Sequence, residues 1–211
     1  MYSKQRIEAL SDGIFAIVMT LLVLNLKVPG DVPAEHLWQA LRLESNTWAS
    51  FLITFILAAR YWTIQHRLFN LIERIETRTV VTTFIFLFLL TILPFSTALW
   101  GRHLTDSVAF FLYVLNQVLI AIVVIAELQL ARRQKNIRIG GDLWILSGQL
   151  YVMTGSLLAA LISSWFLKAR YVAIIMAAVA LVAYWLRRLL HKRYLQQTLK
   201  AFPEGSGSGT I

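Results

Sequence analysis

Long uncharged apolar segments, separated by short charged ones, are the feature that most constrains how this chain can fold. Residues 79–101, 107–126 and 143–167 each contain no charged side chain. The hydrocarbon core of a bilayer is about 30 Å thick, and an α-helix needs roughly 20 apolar residues to cross it. These three segments therefore predict three membrane-spanning helices.

The composition agrees with a membrane environment. Hydrophobic residues make up 58% of the chain and charged residues 15%, whereas soluble domains carry about 25% charged residues. The sequence contains no cysteine, which excludes disulfides, thiolate metal sites and cysteine nucleophiles. We therefore expect an all-α, multi-pass membrane protein.

Three less regular segments bring the predicted number of spans to six. Residues 171–186 are short but are followed by two arginines. Residues 13–26 reach spanning length only if the helix extends back to Ser11. Residues 45–59 reach it only if the helix continues through Arg60 to about residue 69.

The distribution of basic residues predicts the orientation of these spans. With the N-terminus in the cytoplasm, fourteen of the 20 lysines and arginines fall on the cytoplasmic side, five fall outside and Arg60 lies within a span. The fourteen are Lys4, Arg6, Arg67, Arg74, Arg78, Arg132, Arg133, Lys135, Arg138, Arg187, Arg188, Lys192, Arg193 and Lys200. Cytoplasmic loops are enriched in lysine and arginine in this way. We predict six transmembrane helices with both termini cytoplasmic, and the basic residues need no nucleic-acid partner to explain them.

The predicted spans form one domain. We interpret residues 1–200 as a single six-helix unit, because no repeat relates the first three helices to the last three. Residues 201–211 include the run Gly-Ser-Gly-Ser-Gly, which is typical of a flexible linker. We interpret 201–211 as a flexible tail without function, of a kind that is also appended to natural chains.

The first predicted span combines polar residues with an aliphatic stripe. Ile17, Leu21 and Leu24 are spaced i, i+4 and i+7, which places them on one face of a helix. Thr20 lies beside this stripe. Such a stripe could line a pore, but it also fits lipid or a packed neighbouring helix, and periodicity alone favours those two environments.

Asp12 and Arg60 are charged residues in predicted spans, where ionisable groups are costly and commonly functional. With a rise of about 1.5 Å per residue, the antiparallel first and second helices place the two at similar depth. We therefore consider a buried ion pair between Asp12 and Arg60. The alternative is that Asp12 caps the first helix while Arg60 extends to the headgroups.

The opening of the first helix resembles a known family signature. Arg6, Leu10, Ser11 and Asp12 are similar to the arginine-x-x-x-phenylalanine-serine-aspartate motif of the transmembrane protein 175 family, with leucine in place of phenylalanine. This family comprises endosomal and lysosomal potassium channels of animals and their bacterial and archaeal homologues.

Two further segments carry the same resemblance. The stretch from Trp62 to His66 and Phe69 is similar to a tryptophan–histidine segment of the family, and residues 93–96 are similar to its proline-containing segment. Gln65 stands where homologues can carry a second histidine, so the polar network around this helix differs from the family pattern.

The resemblance implies a potassium-permeable channel that assembles as a homotetramer in the bilayer. The first helix of each subunit would line the pore, with Ile17, Leu21 and Leu24 at the constriction and Thr20 as a polar contact for the ion. Five residues would hold the helix bundle together without touching the ion: Arg6, Ser11, Asp12, Trp62 and His66. We expect potassium as the permeant ion, no cofactor or other metal, and a prokaryotic cell membrane as the location.

Alternative functions are a proton-conducting channel and a secondary cation transporter. Asp12 and His66 could relay protons in a proton channel. A transporter would need broken helices and an internal repeat. Pro94 is the one mid-span proline that could break a helix. We expect no enzymatic activity, because the histidine–glutamate–x–x–histidine spacing of zinc proteases is absent from the sequence. The threonine-valine-glycine-tyrosine-glycine filter of ordinary potassium channels is absent as well. Selectivity would therefore depend on pore radius, hydroxyl contacts and dehydration at a hydrophobic constriction.

Overall fold

The computed structural model describes residues 3–27, 30, 32–134 and 141–166. Within these residues the chain forms seven α-helices and a short 3₁₀ helix, Ala34–His36. The α-helices are α1 (Lys4–Val23), α2 (Leu37–Leu43), α3 (Ser45–Leu71), α4 (Thr77–Thr91), α5 (Leu93–Arg102), α6 (Ser107–Arg133) and α7 (Gly141–Phe166).

Four helical segments of the described chain are long and apolar enough to cross a membrane. They are Ser45–Leu71, Thr77–Arg102, Ser107–Arg133 and Leu146–Ser163. The prediction of a helical, multi-pass membrane protein is confirmed. The sixth predicted span at 171–186 and the tail at 201–211 lie outside the described residues. The count of six spans therefore stays a prediction, as does the 1–200 domain.

Helix α1 differs in its bounds from the first predicted span. It begins at Lys4 and ends at Val23, with Leu24 as its C-cap. The early start places Lys4, Arg6, Glu8 and Asp12 inside the helix, and Lys4 pairs with Glu8 at 3.8 Å across one turn. Asp12 occupies the third turn, so the alternative in which it caps the helix is wrong.

The predicted span at 79–101 is interrupted between α4 and α5. Proline has no backbone N–H, and its ring clashes with the carbonyl four residues earlier, which breaks or bends a helix. Pro94 lies in the first turn of α5, directly after the break at Ile92. Asn25, just beyond the end of α1, donates its Nδ2–H to the Pro94 carbonyl at 3.1 Å. This bond joins the end of α1 to the interrupted helix.

The largest hydrophobic core joins six of the seven described α-helices. Its members that are at most 2% exposed include Phe15 of α1, Leu68 of α3, Phe86 of α4, Leu93 of α5, Ile120 of α6 and Leu150 of α7. The rings of Phe15 and Phe86 lie 5.8 Å apart. A second cluster surrounds Trp100 of α5 and includes residues of α6 and α7. Helix α1 is thus packed into the subunit along one side only.

Hydrogen bonds at the helix ends show how the helices run. Lys4 Nζ donates to the carbonyl of Ile72 at 2.9 Å, so the start of α1 lies beside the end of α3. The opposite end of α1 lies beside the α4–α5 break through Asn25. Helices α1 and α3 are therefore antiparallel, as their successive membrane crossings would require.

Helices α3 and α5 approach closely at Gly101. A Cβ atom at this position would collide with Ser50 Oγ, and would lie 3.3 Å from Ser50 Cβ and 3.4 Å from Thr47 Cα. Ser50 is buried and donates its hydroxyl to the Thr47 carbonyl at 2.9 Å. The hydroxyl therefore cannot turn aside without losing this bond, and the contact requires glycine.

We predict that Gly101→Ala destabilises the subunit by about 1–3 kcal/mol, because overpacking separates α3 from α5. For a chain of this size that corresponds to a fall of roughly 2–12 °C in the unfolding midpoint. The measurement is thermal unfolding in detergent, followed by tryptophan fluorescence. Gly155→Ala in α7 is the matched control, because a Cβ there meets nothing within 4 Å. Equal midpoints for the two variants would contradict this account of the α3–α5 contact.

Candidate functional site

One face of α1 is apolar and exposed in the single chain. The exposed fractions are 58% for Ile17, 41% for Leu21 and 74% for Leu24. Ile17 and Leu21 lie in the helix, and Leu24 continues the same face as its C-cap. These three side chains are free to contact lipid or further copies of the chain.

The opposite face of α1 is buried against the rest of the subunit. Its buried residues are Ile7, Ser11, Phe15, Val18 and Leu22. Their spacing of three or four residues is that of a single helical face. The helix is therefore anchored by one side and presents the aliphatic stripe on the other.

Thr20 lies on the exposed side, between Ile17 and Leu21 in sequence. Its hydroxyl donates to the Ile17 carbonyl at 2.8 Å within the same helix. With the hydroxyl proton used in this way, the remaining lone pairs of the Thr20 oxygen can only accept a hydrogen bond or contact a cation. This is the property expected of a polar contact for a cation.

Two residues of the predicted motif network meet directly. The indole Nε1–H of Trp62 donates to Asp12 Oδ1 at 2.8 Å. The Trp62 and His66 rings are stacked 5.5 Å apart with an interplanar angle of 16°. His66 Nε2 also lies 3.1 Å from Asn70 Nδ2, within hydrogen-bonding distance. Trp62 thus joins α1 to α3 and is held in orientation by the adjacent imidazole.

The remaining network residues occupy different environments. Ser11 is buried at 3% exposure, whereas Arg6 is exposed at the start of α1. Arg60 Nη2 donates to Gln149 Oε1 at 3.2 Å, which joins α3 to α7. Pairing between Asp12 and Arg60 stays a prediction, as do the roles assigned to the individual network residues.

A buried carboxylate, Glu127, is a polar centre that the sequence interpretation missed. It is 2% exposed. Gln65 Nε2 donates to its Oε2 at 3.0 Å, and Thr83 Oγ1 donates to its Oε1 at 2.8 Å. These bonds join α3, α4 and α6. The predicted span stopped at residue 126, directly before this charge, whereas α6 continues to Arg133 and carries Glu127 into the bundle.

The chain is similar to known channel proteins in sequence and in structure. Residues 6–94 match the family model described as "Endosomal/lysosomal potassium channel TMEM175". A crystal structure of a lysosomal potassium-selective channel TMEM175 homolog from Chamaesiphon minutus aligns with a TM-score of 0.76 and 28% sequence identity. This alignment covers 87% of the present chain and 97% of that chain. The sequence and structural matches confirm the predicted resemblance to the TMEM175 family.

Curated relatives show the same similarity over a shorter length. A potassium channel of Chamaesiphon minutus is 39% identical over 101 residues, and one of Streptomyces collinus is 30% identical over 107 residues. These alignments cover 47% and 51% of the present chain, and 50% and 52% of the relatives. The chain thus spans about half the length of the curated relatives it matches.

The TMEM175 match also bears on location. Its segment from residue 6 to residue 94 contains most of α1 and all of α3 and α4, together with the Asp12–Trp62 contact. The relatives just described are bacterial, and the described chain holds four helical segments able to cross a membrane. The protein is a multi-pass membrane protein of prokaryotic type.

We predict that Glu127→Ala destabilises the subunit by about 3 kcal/mol. The substitution leaves the amide of Gln65 and the hydroxyl of Thr83 buried without an acceptor. The unfolding midpoint in detergent should fall by roughly 6–12 °C. Glu127→Gln is the matched control, because its amide can bond to both neighbours once the Gln65 amide turns over. Equal unfolding temperatures for the two variants would show that the bonds from Thr83 and Gln65 do not stabilise the packing of α3, α4 and α6.

Proposed function

We propose that the chain is one subunit of a potassium-permeable cation channel, a homotetramer whose pore is lined by α1. Ile17, Leu21 and Leu24 form a hydrophobic constriction that takes the place of a carbonyl filter. Thr20 supplies a polar contact for the ion beside this ring. Potassium is the permeant ion, and no cofactor takes part.

The two-sided character of α1 is the observation that carries this proposal. One side is packed into the subunit, while the other exposes an aliphatic stripe of 41–74% exposure. Lipid would suit that stripe, but it would not suit the rest of the helix, which includes Arg6, Glu8 and Asp12. Helix α1 is not among the four segments apolar enough to cross a membrane by composition. Surrounding α1 with other copies of itself removes it from lipid and places the stripe on a common axis.

The proposed tetramer accounts for the size of the subunit. One chain of 24.1 kDa has too few helices to enclose a water-filled path and also to insulate that path from lipid. Four copies of α1 can surround an axis, while α3, α4 and α6 lie behind them. The sequence similarity to potassium channels of bacteria supports an ion path of this kind.

The chemistry of the ring sets the expected selectivity. A ring of aliphatic side chains blocks ions by dewetting when narrow and admits them when it widens. Without carbonyl ligands, potassium is preferred over sodium because it loses its hydration shell more readily. The hydroxyl of Thr20, which donates to Ile17, offers the dehydrated ion an oxygen. We therefore expect a modest preference for potassium.

The proposed topology has six spans with both termini in the cytoplasm. The start of α1 and the end of α3 lie together, and Gln65, Thr83 and Glu127 bring the end of α3, the start of α4 and the end of α6 together as well. Arg67, Arg74, Arg78, Arg132 and Arg133 belong to these same helix ends and their connections. The location of these five arginines at one end of the helix bundle supports the assignment of that end to the cytoplasm.

We predict that Leu21→Asn and Ile17→Asn raise potassium flux through the purified channel by about tenfold. A polar side chain at the ring lowers the dewetting barrier, and a tenfold change corresponds to about 1.4 kcal/mol. The preference for potassium over sodium should fall in parallel. The measurement is ion uptake into proteoliposomes under a set membrane potential.

Ile56→Asn on α3 is the matched control, because Ile56 is 66% exposed but is not part of the α1 stripe. Its flux should equal that of the unsubstituted protein. A wild-type protein that carries protons but no potassium, with the proton flux lost in His66→Ala, would support the proton-channel alternative. Unchanged potassium flux in both α1 variants would contradict the proposed constriction.

We predict that the detergent-solubilised particle has four times the 24.1 kDa mass of one chain. Mass photometry or light scattering with correction for bound detergent measures this directly. A monomeric particle that still conducts potassium in liposomes would contradict the shared pore, because one copy of α1 cannot enclose an axis.

A further inference from the structure

A small cavity lies between the N-terminal half of α1 and the C-terminal half of α3. Its volume is about 20 Å³, which is enough for one small ion or one to two water molecules. The polar residues that line it are Glu8, Ser11, Asp12, Trp62, Gln65 and His66. None of these has been assigned a ligand in the function proposed above.

Two buried oxygen atoms of the cavity residues lack hydrogen-bond partners among the described residues. They are Ser11 Oγ and Gln65 Oε1, on side chains that are 3% and 2% exposed. Buried polar atoms in native proteins are nearly always satisfied by protein, water or an ion. Both oxygens therefore point to a bound species in the cavity.

The orientation of the Gln65 amide is fixed from its other side. Its Nε2 donates to Glu127 Oε2 at 3.0 Å. Since Glu127 requires a donor, the amide cannot turn over without placing two acceptors against each other. Gln65 Oε1 is therefore held as an acceptor, and it can be satisfied only by a donor or by a cation.

The other lining groups add negative charge. Asp12 and Glu8 are one helical turn apart on α1, and both line the cavity. Trp62 occupies one oxygen of Asp12 at 2.8 Å, and the second oxygen remains for another ligand. Lys4 offsets part of the charge, at 3.8 Å from Glu8. Four oxygen-bearing side chains with two carboxylates thus surround a space of ionic size.

We propose that this cavity binds a hard divalent cation, with Ca²⁺ as the ion of matching chemistry. Ca²⁺ accepts carboxylate, amide, hydroxyl and water oxygens in a flexible arrangement, whereas Mg²⁺ demands a near-ideal octahedron, which these side chains on two helices do not offer. Among the described residues, no group of three or more His, Asp or Glu side chains is placed to hold a metal. The site therefore depends on two carboxylates supplemented by the neutral oxygens of Ser11 and Gln65.

A cation at this position would join α1 to α3 beside the Asp12–Trp62 bond. It would neutralise two acidic side chains on the helix proposed to line the pore, and it would satisfy both buried oxygens. The cavity lies on the packed flank of α1, away from Ile17 and Leu21. Binding at this site is therefore separable from conduction and does not depend on the proposed pore.

The test is a titration of the purified full-length protein with CaCl₂ at constant ionic strength. Thermal unfolding and calorimetry should both show saturable binding, with a dissociation constant of about 10⁻⁴–10⁻³ M, as for weak oxygen-ligand sites. Saturation should raise the unfolding midpoint by about 5 °C. MgCl₂ at the same concentration should produce a shift at least threefold smaller.

Two charge-removing variants and one control locate the site. Asp12→Asn and Glu8→Gln keep the shape of the side chains and should each weaken Ca²⁺ binding by about tenfold, because affinity depends on ligand charge. Glu8→Gln keeps the test informative if Asp12→Asn impairs folding. Glu76→Gln, outside the cavity, should bind Ca²⁺ as the unsubstituted protein does. An absence of saturable binding would overturn the proposal in favour of water in the cavity. Equal binding in all variants would overturn it by placing the ion elsewhere.

Discussion

Polar groups buried in an apolar helix bundle must find partners within the protein, and the arrangement of these helices depends on that constraint. In a membrane, lipid tails are as apolar as leucine, so the hydrophobic effect does not press helices together and polar contacts help to fix their positions. Glu127 is bonded from α3 and from α4. Thr54 of α3 bonds Thr97 of α5 and Tyr113 of α6, each at 3.1 Å. These two centres determine which helices are neighbours in the subunit.

Helix α1 is subject to the same constraint in a different way. Two of its polar residues, Asp12 and Lys4, bond to α3 at Trp62 and at the carbonyl of Ile72, where that helix ends. Its aliphatic stripe is exposed among the described residues, and so are Arg6 and Asp12. A helix that exposes charged side chains is stable in a bilayer only when further protein or water covers them. Under the proposed function, other copies of the chain supply this cover.

The sequence predicted the long spans well because lipid imposes a length and a composition on them. Helices α3, α6 and α7 contain the predicted segments almost unchanged. The α4–α5 break was not predicted, although Pro94 was noted, because a proline in a membrane helix either bends or interrupts it depending on its neighbours. The start of α1 was missed because its first residues are charged. Lys4 pairs with Glu8 along the helix, and a search for long apolar segments does not detect a helix of this kind.

The candidate site was only partly accessible to sequence reasoning. Trp62 and Asp12 were named together because of a family resemblance, and their 2.8 Å contact is a matter of tertiary structure that spacing does not encode. Glu127 was overlooked because the predicted span was ended at the first charge. In a sequence, a buried carboxylate cannot be distinguished from a charged loop residue until the helices that supply its hydrogen-bond donors are known. The proposed orientation of Ile17, Leu21 and Leu24 toward a pore depends on other copies of the chain.

The mixed character of α1 has a consequence for biosynthesis. A segment enters the bilayer from the translocon according to its own apolarity, and a central aspartate, lysine or arginine opposes this by roughly 2.5–3.5 kcal/mol each. Helix α1 carries four charges and precedes α3 and α4 in the chain. It is therefore made before the helices that supply its polar partners. If α1 spans the bilayer as proposed, its stable insertion waits until α3 has emerged and Trp62 can reach Asp12. The two helices would then be integrated as a pair.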